Sequence, residues 1–218
     1  MTDSKRSMKC TMGLLNRADG SARFSCGNCE VLVAVYGPME CVRQKDEIED
    51  RACVRVLVDP LVGLSGREEK GFQKVLRSIF ESVIVTKKFP RMMIKIVVQK
   101  IVESSLSAAI NGVCLALLDA GVEMTRTVAA VELEIDILTG EFVGKVDRMK
   151  IHDETKEGGA EEKGPTKICI GFDSDHKVVS STTQGPLTQK QYFNGIQHAR
   201  ESSKTIFEFY REMITRRS

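Results

Sequence analysis

The segment from residue 106 to residue 120 restricts the fold more than any other part of this chain. Its side chains are apolar or small almost without exception, and their spacing is helical. Ser104 and Ser105 precede it as candidate N-caps, and Gly121 follows it as a residue that tolerates a left-handed C-terminal cap. A helix that is apolar on nearly every side has to be buried on every side. Other elements must therefore surround it.

The segments around this helix alternate between two periods. Residues 68–85 and those from about Leu187 to the C-terminus carry apolar side chains at helical spacing, with Phe193 and Ile214 on the second stripe. An Asp-Gly turn at residues 19–20 predicts an opening hairpin. Runs rich in β-branched residues predict strands at 31–36, which Gly37-Pro38 should stop, and at 53–58, 92–102, 128–137, 142–151, 167–172 and 177–181.

This order predicts an α+β fold in which helices cover mixed sheets, formed by a single domain over residues 9–218. Residues 1–8 are expected to be a flexible N-terminus. The stretch 153–166 has no apolar residue larger than alanine, which predicts a mobile loop. No apolar run is long enough to cross a membrane, and no signal peptide opens the sequence, so we expect an intracellular protein.

The charge balance allows only local contacts with nucleic acid. The 32 Lys and Arg against 30 Asp and Glu give a net charge of +2, which cannot hold a polyanion by itself. Modest basic clusters remain candidates for contacts with RNA phosphates, and dispersed solvated charge is the alternative. The candidates are Arg43, Arg67, Lys70, Lys74 and Arg91.

Two short patterns could carry chemistry, and for each a plain structural role is the preferred interpretation. Cys26-Gly27-Asn28-Cys29 has the spacing of zinc and thiol redox sites, but no second Cys pair accompanies it, so we predict a tight turn. The seven cysteines are expected to be reduced thiols. Asp153, Glu154 and Glu157 could serve as general acids or metal ligands, and a solvated acidic loop is preferred. No metal or cofactor is predicted.

Three stretches together resemble the RNase PH family: residues 14–22, the strand that ends at Gly37-Pro38, and residues 109–121. The closing residues 207–212 narrow the similarity to the small RNase PH-like ring subunits of the eukaryotic RNA exosome. The resemblance implies the β-α-β-α fold of the second domain of ribosomal protein S5. It also implies a six-membered ring with other RNase PH-like exosome subunits, through which RNA is threaded to a separate nuclease in the nucleus, nucleolus and cytoplasm.

The resemblance also implies that catalysis has been lost. Active members attack RNA with inorganic phosphate, which a Gly-Thr-Arg sequence clasps before the buried helix; here that sequence is Ser104-Ser105-Leu106. The family's catalytic aspartate falls nearest to Asp153, with Asp147 as a competing match, and its partner falls on Gly159. A phosphate-contacting arginine falls at or beside Arg67.

These substitutions predict a non-catalytic ring subunit, because a leucine cannot hold a phosphate. The alternative is a residual phosphorolytic or metal-dependent nuclease that acts as a homodimer through Asp153, Glu157 and the basic cluster at residues 67–74. In isolation the chain is expected to pair with itself until the cognate ring partner displaces it.

Overall fold

Two sheets enclose the apolar helix. The computed structural model describes residues 8–41, 47–102, 105–135, 142–143 and 166–217. In chain order the elements are β1 (Met8–Met12), β2 (Gly20–Cys26), β3 (Cys29–Glu40), β4 (Cys53–Asp59), α1 (Arg67–Val83), β5 (Met92–Lys100), α2 (Leu106–Asp119), β6 (Val128–Ile135), β7 (Phe142–Val143), β8 (Thr166–Asp173), β9 (Val178–Gln184) and α3 (Gln189–Arg217), with a 3-10 turn at Thr86–Lys88.

The first sheet has the order β1-β2-β3-β5-β4, and the second has the order β7-β6-β8-β9. Only the β4–β5 pair is parallel among the strands described. Helix α2 lies between the sheets, packing on β2 and β3 on one side and on β6 and β8 on the other. The predicted α+β class with mixed sheets is confirmed. Its physical reason is that a helix without a polar face can be buried only between two apolar layers.

The stretches that carry the family resemblance lie against one another in the structure. Asp119, at the end of α2, accepts a hydrogen bond from the backbone N–H of Ser21 at 2.8 Å. Asp19 accepts one from the N–H of Gly37 at 2.7 Å. A Cβ at Gly20 would lie 2.3 Å from the backbone nitrogen of Ala120, so only glycine allows this close approach. These motifs therefore position the buried helix against the first sheet.

A buried polar network fastens α3 to the same core. The side chain of Asn111 in α2 bonds both backbone groups of Ala130 in β6, accepting from its N–H at 2.7 Å and donating to its carbonyl at 3.0 Å. The hydroxyl of Tyr210 in α3 donates to Asn111 Oδ1 at 2.9 Å. Buried polar groups of this kind are costly unless they are paired, so the network fixes three elements in one arrangement.

One prediction about an element end was wrong. Strand β3 does not stop at Gly37-Pro38; the pairing with β5 shifts register between Tyr36 and Met39 and then resumes, which accommodates a proline that has no N–H to donate. Phe193 and Ile214 lie in the predicted last helix, where they are 55% and 44% exposed. Helix α3 packs mainly on β6 and β8, and Phe209 in its C-terminal half also meets Phe24 of β2.

The last residue of each segment predicted to be flexible lies in a strand. Met8 pairs with Cys26 in the first hairpin and is buried, and Thr166 is buried in β8 with its hydroxyl donating to the carbonyl of Pro186 at 2.8 Å. The remaining residues of the predicted N-terminal and 153–166 segments lie outside the described residues, as do residues 144–151 of the strand predicted after Gly140. Within the part of the chain described, no helix is long and apolar enough to span a bilayer.

Candidate active-site cleft

A cleft of about 550 Å³ lies where the first turns of α1 and α2 face the second sheet. We call it the cleft throughout. Its walls come from three places: the N-terminal half of α1, the first residue of α2, and the facing strands β6, β8 and β9. The lining residues are Arg67, Glu68, Gly71, Phe72, Val75, Leu106, Glu132, Lys167, Cys169, Thr182 and Gln184.

An ion pair between Lys100 and Glu69 lies at the start of α1, beside the cleft. Glu69 accepts a hydrogen bond from the N–H of Gly66, the N-cap, at 2.8 Å. Lys100 Nζ lies 2.9 Å from the Glu69 carboxylate, 3.7 Å from that of Glu68, and 4.5 Å from the centre of the Phe72 ring. Hydrogen bonds from Lys100 and from the backbone lower the pKa of Glu69 to about 2. Lys100, which also lies over the Phe72 ring, thus interacts with two acids.

A second carboxylate, that of Glu132, lies at the start of α2. Ser105 is the N-cap, accepting from the N–H of Ala108 at 3.5 Å, which confirms the predicted capping role of this serine. Its hydroxyl donates to Glu132 of β6, and the hydroxyl of Ser107 lies 3.4 Å from the same carboxylate oxygen. Leu106 follows the cap and is only 6% exposed, with its side chain in the apolar core.

The sheet wall of the cleft adds little unbalanced charge. Lys167 of β8 lies 3.5 Å from the buried carboxylate of Glu134 on β6. Around the cleft, two cationic side chains, Arg67 and Lys167, therefore face two acidic ones, Glu68 and Glu132. The remaining lining is largely apolar, so the cleft as described offers an anion no excess of positive charge.

The structure brings together only part of the predicted site. Arg67 and Leu106 line the cleft. Ser105 donates a hydrogen bond to Glu132, which also lines the cleft. Ser104, the aspartate candidates Asp147 and Asp153, and Glu157 lie outside the described residues. Arg67 and the start of the buried helix are thus the parts of the predicted site that the described residues contain.

The predicted basic cluster at residues 67–74 is divided between two grooves. Lys70 and Lys74 line a second groove of about 570 Å³ between α1 and β4, an edge strand of the first sheet. Arg55 of β4 and Arg77 of α1 line it too. We call this the basic groove; it concentrates four cationic side chains beside one edge strand.

Of the other two candidate RNA contacts, Arg91 lines neither groove. Arg91 has a positive φ of 61°, and its Nε lies 3.7 Å from Glu47. Arg43 lies outside the described residues. The predicted basic candidates therefore do not form one continuous surface in the part of the chain that the structure covers.

The Cys26–Cys29 pattern forms the turn that was predicted. The two cysteines face each other in register at the end of the β2–β3 hairpin, and Gly27 takes a φ of 59° in the connection. Both thiols are free of disulfides, as are the other five. Among the residues described, no group of three or more His, Cys, Asp and Glu side chains is arranged to hold a metal ion.

Sequence reasoning missed Glu132 and Lys167 in the cleft and Arg55 in the basic groove. One signal was available for Glu132: the apolar strand Val128–Ile135 is interrupted by two glutamates, which are uncommon in a buried strand unless they are paired. Nothing in the sequence indicates that the carboxylate of Glu132 meets the start of α2, because that contact joins two elements only in the folded chain.

Comparison with known proteins places this architecture among nucleases and their relatives. A profile of the 3' exoribonuclease family, domain 1 (RNase PH), matches residues 4–123. "Exosome complex component rrp46" of Schizosaccharomyces pombe is 31% identical over 215 residues, covering 92% of this chain and 90% of that protein. "Exosome complex exonuclease RRP46 homolog" of Arabidopsis thaliana is 27% identical over 219 residues, covering 95% and 90%.

Solved structures show the same fold. The crystal structure of rice (Oryza sativa) Rrp46 superposes with a TM-score of 0.79 at 27% identity, over 94% of this chain and 92% of that one. A subunit in the structure titled "archaeoglobus fulgidus exosome with RNA bound to the active site" superposes with a TM-score of 0.73 at 16% identity, over 93% and 87%. The second likeness concerns the fold alone.

Proposed function

This chain belongs to the RNase PH branch of the 3' exoribonuclease family, and from that membership we propose that it is a non-catalytic, RNase PH-like structural subunit of the RNA exosome ring. Its partners would be other RNase PH-like exosome subunits in a six-membered ring. The names of its relatives support the exosome assignment, since they are exosome components from a fungus and a plant. Its role would be to support 3'-to-5' RNA processing and degradation, including that of ribosomal RNA, in the nucleus, nucleolus and cytoplasm.

The single observation that carries the non-catalytic part is Leu106. The resemblance to active members implies an arginine at the start of the buried helix, because a guanidinium holds phosphate through two parallel hydrogen bonds and a permanent charge. An isobutyl group there is buried and can do neither. Without a held phosphate there is no positioned nucleophile for phosphorolysis, and positioning supplies much of the rate of such reactions.

A residual nuclease is the second candidate, favoured by the word exonuclease in the names of the Arabidopsis and rice relatives. It would act as a homodimer and would use Asp153, Glu157 and the basic cluster at residues 67–74 for its chemistry. The two chemistries it could perform differ in their co-reactant. Products that require inorganic phosphate would indicate phosphorolysis, and products that require an added divalent metal would indicate hydrolysis.

The RNA path of the proposed subunit would include the basic groove. Lys70 and Lys74 are exposed side chains on one helix, and Arg55 and Arg77 line the same groove. Arg77 lies 3.6 Å from Glu81, so part of its charge is balanced within the helix. The two lysines are therefore the better candidates for contacts with the phosphates of a single-stranded RNA, which lysines bind as compact point charges.

We expect the double substitution Lys70→Ala/Lys74→Ala to weaken binding of single-stranded RNA by the full chain and to reduce its salt dependence. Each lost phosphate contact should lower the slope of log affinity against log salt by about 0.7, so the pair should lower it by about 1.4. The measurement is fluorescence anisotropy with a labelled oligonucleotide at several salt concentrations. Lys190→Ala/Lys204→Ala removes the same charge from exposed positions on α3 and is the control. Equal losses in both pairs would exclude the basic groove as the RNA contact.

A further inference from the structure

The carboxylate of Glu132 occupies the position at the start of α2 that best suits an anion. The first turn of a helix carries partial positive charge and unpaired N–H groups, which favour negative groups nearby. Here the hydroxyl of Ser105 donates to Glu132, and the hydroxyl of Ser107 lies 3.4 Å from the same oxygen. The two hydroxyls that point to this position are thus directed at a side chain of the protein itself.

Two lysines of this region are paired with acids, whereas Arg67 also lines the cleft. Lys100 is 93% buried, and its ammonium group lies 2.9 Å from Glu69 and 3.7 Å from Glu68. Lys167, across the cleft from α2, lies 3.5 Å from Glu134. An incoming oxyanion would meet the carboxylate of Glu132 at the helix end, while Lys100 and Lys167 interact with acids of the chain.

We infer that Glu132 is the residue that excludes oxyanions from the cleft, in addition to the missing cation at position 106. This inference rests on the proposed function and deepens it, because it gives the cleft a built-in anion in place of a bound phosphate. A carboxylate at this position predicts a result that Leu106 alone does not predict. An arginine introduced at position 106 would meet the carboxylate of Glu132 and pair with it, so restoring the arginine alone should not restore phosphate binding.

The test measures binding of inorganic phosphate to the purified full chain by isothermal titration calorimetry. Four variants are compared with the unaltered chain: Glu132→Gln, Leu106→Arg, Leu106→Arg with Glu132→Gln, and Glu201→Gln as a control that removes one acid from an exposed position on α3. Glu132→Gln keeps the shape of the side chain and removes its charge. We expect the double variant to bind phosphate at least about tenfold more tightly than Leu106→Arg alone. Glu132→Gln alone should also bind more tightly than Glu201→Gln.

The outcomes separate the inference from the function on which it rests. Equal phosphate affinity in Leu106→Arg and in the double variant would overturn the role of Glu132 and leave the non-catalytic proposal standing. Tight phosphate binding by the unaltered chain would overturn both. Because Leu106 is buried and its arginine variant can fail to fold, the Glu132→Gln and Glu201→Gln pair provides a separate decision. Identical affinity in those two variants would contradict the inference even without the arginine variants.

Discussion

Gly20→Ala should prevent stable folding of this chain. A Cβ at Gly20 would lie 2.3 Å from the backbone nitrogen of Ala120 and 2.5 Å from the carbonyl oxygen of Ala116. Backbone atoms in the last turn of α2 cannot move aside as a flexible side chain can. The substitution would therefore push the buried helix away from β2. We expect a loss of more than about 4 kcal/mol in the free energy of unfolding, a large part of the stability of a typical domain.

Two other glycines calibrate this expectation. A Cβ at Gly112 would lie 3.0 Å from a methyl carbon of Val31 and 3.1 Å from one of Val33, and those side chains can shift, so Gly112→Ala should cost about 1 to 2 kcal/mol. A Cβ at Gly71, inside α1, would meet nothing within 4 Å. Gly71→Ala should therefore stabilise the chain by about 0.5 to 1 kcal/mol. Urea unfolding followed by circular dichroism measures all three. Equal stability of the Gly20 and Gly71 variants would contradict the close approach.

Asn111→Ala should lower the free energy of unfolding nearly as much as Gly20→Ala, for a different reason. It removes the partners of the Ala130 N–H and carbonyl and one partner of the Tyr210 hydroxyl, all of them buried. Each buried group left unpaired costs about 1 to 3 kcal/mol, so we expect a total near 4 kcal/mol. At about 2 to 4 °C for each kcal/mol in a chain of this size, the melting temperature should fall by roughly 10 °C.

A graded pair of variants distinguishes this network from a general effect of changing an asparagine. Tyr210→Phe removes one hydroxyl and leaves Asn111 bonded to Ala130, so it should cost about 1 kcal/mol. Asn194→Ala changes an exposed asparagine in α3 and should stay within about 0.5 kcal/mol of the unaltered chain. Differential scanning calorimetry provides the comparison. A melting temperature of the Asn111 variant within a few degrees of the Asn194 variant would show that the network is not needed for stability.

The fold was accessible from the sequence because its strongest signals are local. A helix that is apolar on every side, its serine cap and its closing glycine are written in consecutive residues, and Gly121 takes the predicted left-handed conformation with a φ of 67°. The sequence predicts that the strand ends at Gly37-Pro38, because a proline cannot donate a backbone hydrogen bond to a neighbouring strand. The continuation depends on pairing with β5, which the local sequence does not specify.

The site was less accessible because it is assembled from distant residues. Glu132 meets Ser105 from 27 positions away, and Lys100 meets Glu69 from 31 positions away. Position in the chain also did not separate Arg67, which lines the cleft, from Lys70 and Lys74, which line the basic groove. Local patterns predict which residue types are available, whereas the charge balance of a cleft depends on which side chains the fold brings within a few ångströms.

The most direct test of the non-catalytic proposal measures whether inorganic phosphate is incorporated into nucleoside diphosphates. Single-stranded RNA and radiolabelled inorganic phosphate are incubated with the purified chain, and labelled nucleoside diphosphates are separated by thin-layer chromatography. A non-catalytic subunit, with Leu106 and Glu132 at the helix end, should give no labelled diphosphate above a blank without protein. Labelled diphosphates that increase with the amount of chain and disappear with Asp153→Ala would show that the chain is a phosphorolytic enzyme.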